Sequence, residues 1–224
     1  MTNSPRNLNQ ALQQSSIALL LTILLVIICY WFVDKPVAFF VARHHIANFI
    51  FLKWFTYIPA AFLPLVLLSY PILIIRFCKR LSKPWDNALW NIANSAVIVY
   101  FVVSLLKQAF GRAWIATWVD NNPSLLSNGT YGFHWFHGSA GFASFPSGHS
   151  AMIIAITTAI WLIFKNPLLK ITFSILSLLV TIGLIGMNYH YVSDVIAGFF
   201  VGWVSAFFVI IRGNLLVNNN DNHL

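Results

Sequence analysis

The sequence predicts an all-α protein, a polytopic bundle of about six membrane-spanning helices that forms a single domain over residues 1–224. Composition carries the first part of this prediction. Of the 224 residues, 59% are hydrophobic and only 8% are charged, whereas soluble domains carry roughly 25% charged residues. The second part is the arrangement of the apolar residues in long runs. A chain with so little polar surface needs lipid as its solvent, so we expect an integral membrane protein.

Six apolar stretches mark the predicted spans, each close to the ~20 residues that cross ~30 Å of hydrocarbon. In chain order they are 16–33, 54–75, 88–106, 151–164, 168–187 and 195–211. The fourth is short and must extend back to Ser147. The second contains Pro59, Pro64 and Pro71, which a membrane bundle tolerates because neighbouring helices can satisfy the freed carbonyls.

The basic residues predict the orientation, because an even number of spans places both termini on one side. That side collects Arg6, Arg76, Lys79, Arg80, Lys83, Lys165, Lys170 and Arg212. The opposite side holds Lys35, Arg43, Lys53, Lys107 and Arg112. The positive-inside rule therefore predicts cytoplasmic termini. This loop bias also accounts for the net charge of +8 without a nucleic-acid partner.

The predicted outer side carries one long connection, residues 111–146, without a clear helical period. Connections of that length are usually functional or disordered, and this one is too rich in aromatic residues for disorder. Its aromatic residues are Trp114, Trp118, Tyr131, Phe133, Trp135, Phe136, Phe142 and Phe145. Such residues suit the lipid headgroup layer. Two compatible interpretations follow: an interfacial belt and a lid over a lipid headgroup.

Three polar segments lie at predicted span ends on that same side. They are 107–112, 145–150 and 188–194. Ionisable groups at membrane depth are costly, so each segment is a candidate functional site. Lys107 and Arg112 in the first segment either supply positive charge for an anion or extend to the membrane boundary to keep their charges in water.

The second segment, Pro146-Ser147-Gly148-His149, is typical of an anion site. Proline is favoured in the first helical turn, and small residues there leave backbone N–H groups free near the positive end of the helix dipole. A phosphate at that helix start would gain these donors and the Ser147 hydroxyl, with His149 beside it. The alternative is simple helix capping beside a histidine that other groups satisfy.

His190 and Asp194 in the third segment have the spacing that lets a carboxylate reach an imidazole one helical turn away. The carboxylate would fix the imidazole tautomer and make the other ring nitrogen more nucleophilic. The alternative is a polar pair that joins two helices. A haem-binding histidine pair is disfavoured, because axial ligands usually lie within spans whereas His149 and His190 lie at span ends.

In order and spacing, the three segments resemble the signature of the type-2 phosphatidic acid phosphatase family, relatives of the vanadium haloperoxidases. That signature has a motif from Lys to Arg-Pro, then Pro-Ser-Gly-His, then Ser-Arg followed by a spaced His and Asp. Lys107 begins the first motif, and residues 146–149 are an intact second. His190 and Asp194 complete the third. The resemblance covers about 88–203.

The chain departs from this signature at both motif arginines, whose positions fall on Trp114 and Leu184. In the family both arginines hold the phosphate, and other residues do not easily reproduce their bidentate contacts. We expect Arg112 to take over one of these roles, with His134 and His137 as further candidates.

The resemblance implies a phosphatase, independent of metals and cofactors, that acts on a phosphorylated or diphosphorylated lipid. His190, oriented by Asp194, would attack phosphorus to form a phospho-histidine, and His149 would protonate the leaving oxygen. The phosphoryl oxygens would be held by Lys107, Arg112, Ser147 and Gly148.

Two other functions are compatible with the sequence. The same site could transfer the phosphoryl group to another lipid, or the chain could be a non-catalytic lipid-binding or transport protein on a decayed phosphatase scaffold. The absent arginines favour the latter, whereas the intact His149, His190, Asp194 and Lys107 oppose it. Candidate substrates are phosphatidate, phosphatidylglycerol phosphate, polyprenyl diphosphate and lipid A phosphate, met on the outer side of a bacterial inner (plasma) membrane.

Overall fold

The computed structural model describes residues 8–221 and confirms the predicted all-α polytopic bundle. Its α-helices are α1 (Leu8–Phe32), α2 (Asp34–Arg43), α3 (Phe51–Cys78), α4 (Pro84–Phe110), α5 (Leu125–Asn128), α6 (Gly148–Ile163), α7 (Pro167–Gly186) and α8 (Val192–Asp221). Short 3₁₀ turns lie at Ile46–Asn48 and Ala140–Phe142. Over residues 8–221 the backbone forms isolated bridges but no β-strand.

Within residues 8–221, five helices are long and apolar enough to cross a membrane, namely α1, α3, α4, α7 and α8. The remaining predicted span corresponds to α6, which has 16 residues. At 1.5 Å per residue it is about 24 Å long, shorter than the ~30 Å of hydrocarbon. Most of its residues are buried, so α6 is enclosed by other helices and its length does not have to match the lipid.

The helices extend beyond the apolar stretches that predicted them. α1 begins at Leu8 and α4 ends at Phe110. Hydropathy locates the hydrocarbon layer, whereas backbone hydrogen bonding continues into the headgroup layer. The ten-residue helix α2 was not predicted, and it places Asp34 in its first turn.

α6 lies at the centre of the bundle, against α4, α7 and α8. Two glycines of α8 set the distance between α8 and α6. A Cβ at Gly198 would collide with Ser150 and with the backbone of Ser147, and one at Gly202 would collide with the backbone of Ala151. Small residues allow this backbone-to-backbone approach. It brings the start of α6 beside the start of α8.

The connection between α4 and α6 folds over the end of the bundle where these helix starts meet. Gly111, the residue that follows α4, has a φ of 55°, a left-handed conformation that glycine adopts without strain. The Ser144 amide donates to the Arg112 carbonyl at 3.1 Å, and the Ser147 amide donates to the Asp194 carbonyl at 3.0 Å. The connection therefore holds the end of α4 against the starts of α6 and α8.

Candidate active site

His190 lies in the turn between α7 and α8, and Asp194 lies in the first turn of α8. The His190 Nδ1 atom is 3.4 Å from Asp194 Oδ2. The same carboxylate oxygen accepts hydrogen bonds from the Ser144 hydroxyl at 2.5 Å and from the Tyr191 amide at 3.1 Å. Asp194 is fully buried. The carboxylate is therefore fixed in place against the Nδ1 atom of His190.

Burial lowers the pKa of His190 below the ordinary histidine value, because it penalises the imidazolium form. Asp194 opposes this effect, and the positive charge of Lys107 adds to the lowering. His190 is therefore neutral at neutral pH. A neutral imidazole keeps the lone pair that nucleophilic attack needs.

A cavity of about 380 Å³ opens beside this histidine. Its polar end is lined by Lys107, Trp114, Gly148, His149 and His190. Its apolar part is lined by Pro59, Ala60 and Leu63 of α3, by Val99, Tyr100, Val103 and Ser104 of α4, and by Met152 of α6. Ala60 and Tyr100 are exposed on the outer surface of the bundle. One end of the cavity thus carries the ionisable groups, and the other reaches the apolar surface of α3 and α4.

The Pro146–His149 segment begins α6. Ser147 is the N-cap residue, and its Oγ accepts a hydrogen bond from the Ser150 amide at 3.4 Å. Its side chain is fully buried and does not line the cavity, whereas Gly148 and His149 do. Ser147 therefore caps the helix. An anion in the cavity could contact the backbone of Gly148 and the side chain of His149, but not Ser147.

Lys107 and Trp114 form one wall of the polar end. The Lys107 Nζ atom donates to the Ala143 carbonyl at 2.5 Å and lies 5.3 Å from the Trp114 ring centroid. The Trp114 indole N–H donates to the Ala140 carbonyl at 2.8 Å. The residue at the first motif-arginine position thus contributes an aromatic face to the cavity and contacts the lysine.

The structure does not place Arg112 among the residues that could hold a phosphate. Its side chain is fully buried and lies outside the cavity lining. The Arg112 Nη1 atom contacts Asp194 Oδ1 at 2.5 Å, and the Arg112 Nη2 atom contacts Asp34 Oδ2 at 2.7 Å. We therefore correct the expectation that Arg112 replaces a motif arginine, because both ends of its guanidinium are occupied by carboxylates.

The structure also shows the surroundings of Leu184, at the second motif-arginine position, and of the two histidines proposed to replace a motif arginine. Leu184 is fully buried in an apolar cluster with Ile153, Val180 and Val195. His134 and His137, the further candidates, pack their rings against Phe142 at 4.5 and 4.4 Å and do not line the cavity.

Sequence reasoning missed three residues that contact the site's charged groups, namely Asp34, Ser144 and Ser193. Asp34 is buried and accepts hydrogen bonds from the Ser193 amide at 3.0 Å and from the Ser193 hydroxyl. One signal could have identified Asp34. It is one of only five acidic residues in the chain, and it follows an apolar span, where a carboxylate is costly.

Over residues 8–221, no group of three or more His, Cys, Asp or Glu side chains is arranged to hold a metal ion. The groups that line the polar end of the cavity are instead two imidazoles and an ammonium. Chemically, an imidazole can act as a nucleophile or can donate or accept a proton, and an ammonium group supplies positive charge.

Two known proteins that are similar to this chain carry the same name. Over 135 residues the chain is 36% identical to a lipid A 1-phosphatase of Rhizobium etli, covering 59% of this chain and 53% of that protein. Over 112 residues it is 34% identical to a lipid A 1-phosphatase of Rhizobium johnstonii, covering 49% of this chain and 42% of that protein. The chain thus spans about half the length of these curated relatives. No solved structure matches it significantly.

A family model described as the PAP2 superfamily matches residues 88–215. The matched segment contains Lys107, His149, His190 and Asp194, and it covers more than half of the chain. From this match, and from the site that its residues form, it follows that the chain belongs to the PAP2 superfamily.

Proposed function

We propose that this protein is a membrane-integral lipid phosphatase that hydrolyses a phosphate or diphosphate group on a lipid through a phospho-histidine intermediate. The observation that carries this proposal is the meeting of Lys107, His149 and His190 at one end of an otherwise apolar cavity. Family membership and the two relatives named lipid A 1-phosphatase support the same class of reaction.

In the proposed first step, Nε2 of His190 attacks the phosphorus atom while the bond from phosphorus to the lipid oxygen breaks. Protonated His149 donates its proton to that leaving oxygen. The Asp194 carboxylate, 3.4 Å from Nδ1, orients the imidazole and stabilises the positive charge that develops on it. In the second step His149 accepts a proton from water, which attacks phosphorus and releases phosphate and His190.

The phosphoryl oxygens are held in this proposal by Lys107 and by the backbone N–H of Gly148 in the first turn of α6. Positive charge and helix N-termini stabilise the phosphoryl group throughout its transfer. Ser147 contributes as the N-cap that fixes this first turn. Arg112 acts on Asp194, whose Oδ1 it contacts, and not on the substrate.

The apolar part of the cavity supports a lipid substrate. Hydrocarbon next to the phosphate would contact Leu63, Val99, Val103 and Met152, all of which line the cavity. Burial of such a chain contributes about 0.8 kcal/mol per CH₂ group. We propose that the lipid is met on the outer side of a bacterial inner membrane, where the polar ends of α4, α6 and α8 meet.

The test is release of inorganic phosphate by the purified protein in detergent, with EDTA present. The lipids are phosphatidate, phosphatidylglycerol phosphate, polyprenyl diphosphate and lipid A, with His190→Ala as the inactive control. We expect release from at least one lipid that depends on His190. A pure phosphotransferase would release phosphate only after an acceptor lipid is added. Absence of both reactions with every lipid would contradict an enzymatic function.

A further inference from the structure

A carboxylate from outside the segment matched by the family model reaches the catalytic end of the bundle. Asp34, in the first turn of α2, is only 1% exposed. Its Oδ2 atom accepts hydrogen bonds from Arg112 Nη2 at 2.7 Å and from the Ser193 hydroxyl. Its Oδ1 atom accepts a hydrogen bond from the Ser193 amide at 3.0 Å. Arg112 contacts Asp194 directly, and Ser193 precedes Asp194 in the chain.

The contacts continue from Asp34 to the histidine. The Arg112 Nη1 atom donates hydrogen bonds to Asp194 Oδ1 at 2.5 Å and to the Ser193 hydroxyl at 2.6 Å. The opposite oxygen of Asp194 contacts His190 Nδ1 at 3.4 Å. A carboxylate, a guanidinium, a second carboxylate and an imidazole therefore follow one another, each within contact distance of the next.

This series is enclosed. The side chains of Asp34, Arg112 and Asp194 are fully shielded from solvent. The guanidinium carbon of Arg112 lies 4.1 Å from the Tyr191 ring centroid and 5.5 Å from that of Tyr131. Because the low-dielectric interior screens charges weakly, a change of charge at one end is felt at the other.

The charge balance of the series gives Asp34 a role. Arg112 and Asp194 alone would form a neutral pair, and the carboxylate charge would be drawn towards the guanidinium. With Asp34 the three groups carry one net negative charge. Asp34 occupies one edge of the guanidinium, so that Asp194 keeps more of its charge available to His190.

Building on the proposed function, we infer that Asp34 is a positioning residue for His190, acting through Arg112 and Ser193 on Asp194. It keeps the Asp194 carboxylate oriented and charged towards Nδ1. The attacking nitrogen thereby stays nucleophilic, and the phosphorylated imidazole is stabilised. The catalytic end is then completed by α2, which lies outside the matched segment.

Asp34→Asn tests this role because it keeps the shape and removes the charge. We expect kcat for phosphate release to fall by about 10- to 100-fold, the range associated with partners that orient active histidines at metal sites. KM should stay within about twofold, because Asp34 does not line the cavity. The matched control is Asp120→Asn, a change to an exposed carboxylate in the outer connection, which should match wild type.

The pH profile separates positioning from simple loss of folded protein. His190 is faced by Asp194 of α8, Lys107 of α4 and His149 of α6. Behind Asp194 lies Arg112, and around its guanidinium lie Asp34, Tyr131 and Tyr191. Removing one negative charge from this set lowers the pKa of His190. The acid limb of kcat/KM requires neutral His190, so in Asp34→Asn that limb should move to lower pH. An unmoved limb together with wild-type kcat would overturn the inference.

An activity-independent measurement distinguishes failure of the inference from failure of the proposed function. The imidazole NMR signal of His190, assigned with His190→Ala, is titrated in detergent for wild type, Asp34→Asn and Asp120→Asn. A shift to lower pH only in Asp34→Asn supports the coupling even if no tested lipid is hydrolysed. Lipid hydrolysis by wild type with identical titrations in all three proteins contradicts the coupling alone.

If Asp34→Asn does not fold, Ser193→Ala carries the test. It deletes the hydroxyl that contacts both Asp34 and Arg112 and removes no charge. We expect a smaller fall in kcat at unchanged KM. A wild-type kcat in Ser193→Ala would then overturn the inference.

Discussion

The indole of Trp114 lies against the imidazole of His190, with ring centroids 5.3 Å apart. The same indole lies 5.3 Å from the Nζ atom of Lys107. At a position where the family signature has a phosphate-holding arginine, this chain therefore has an aromatic ring that contacts both His190 and Lys107. The ring restricts where Lys107 and His190 can move, but it brings no charge of its own.

Trp114→Ala should weaken substrate binding more than chemistry, because it removes the aromatic face that stabilises the position of Lys107. A cation–π contact is worth about 0.5–2 kcal/mol, so KM should rise by about 2- to 30-fold. The measurement is steady-state phosphate release from the best lipid substrate. The control is Trp54→Ala, at an exposed tryptophan of α3. An unchanged KM in Trp114→Ala would show that the ring does not shape the binding site.

Arg112→Lys should lower kcat strongly and leave KM nearly unchanged. A lysine keeps one positive charge but cannot contact Asp34 and Asp194 at once, as the planar guanidinium does. Arg43→Ala, which removes an exposed arginine on the same predicted side, should behave as wild type. A large rise in KM with an unchanged kcat would instead indicate that Arg112 contacts the phosphate after a rearrangement.

Arg112→Ala has a further consequence, because it leaves two buried carboxylates without their cation. Breaking a buried pair in this way costs about 3–5 kcal/mol. We expect a lower melting temperature in detergent and little activity.

His190→Ala should abolish turnover, since no neighbouring group replaces the attacking nitrogen. His149→Ala should reduce turnover by about 10²- to 10⁴-fold, the usual range for loss of a general acid. Reactions with ³²P-labelled lipid distinguish the two roles when they are stopped in alkaline detergent, because the P–N bond of phospho-histidine is stable in alkali and labile in acid. Labelled protein should be absent in His190→Ala. Substantial turnover by His190→Ala would exclude the proposed phospho-histidine.

The predicted topology can be tested with two single cysteines in a background that carries Cys78→Ala, because Cys78 is exposed. Ser127→Cys lies in the connection between α4 and α6, and Lys165→Cys lies between α6 and α7, both at exposed positions. A membrane-impermeant thiol reagent should label Ser127→Cys in intact spheroplasts and Lys165→Cys only after lysis. The reverse pattern would place the active site on the cytoplasmic side.

The sequence predicts the bundle well, because long apolar runs have few alternatives to membrane helices. It also predicts the neighbourhood of His149 and His190, since their motifs lie at helix ends that a bundle brings to one side. It does not predict the direction of a side chain in an irregular segment. Arg112 was therefore assigned to the phosphate, although its side chain turns away from the cavity towards Asp34.

Asp34 shows a different limit of sequence reasoning. It lies 159 residues before Ser193, its hydrogen-bond partner, and no local period relates the two positions. The packing of α1 against α8 brings the start of α2 beside the start of α8. Contacts of this kind depend on tertiary structure, and the composition around Asp34 indicates only that its carboxylate needs a partner.

The close contact between α6 and α8 at Gly198 and Gly202 restricts substitutions on one wall of the cavity. The opposite wall is free of this restriction. Because Gly198 and Gly202 leave no room for a Cβ, substitutions there would separate His149 from His190 and abolish the reaction whatever the substrate. The opposite wall, formed by α3 and α4, has no such constraint, and its residues Ala60 and Tyr100 are exposed. Under the proposed function, changes in lipid preference are therefore expected at the cavity residues of α3 and α4, while the contact between α6 and α8 keeps His149 and His190 together.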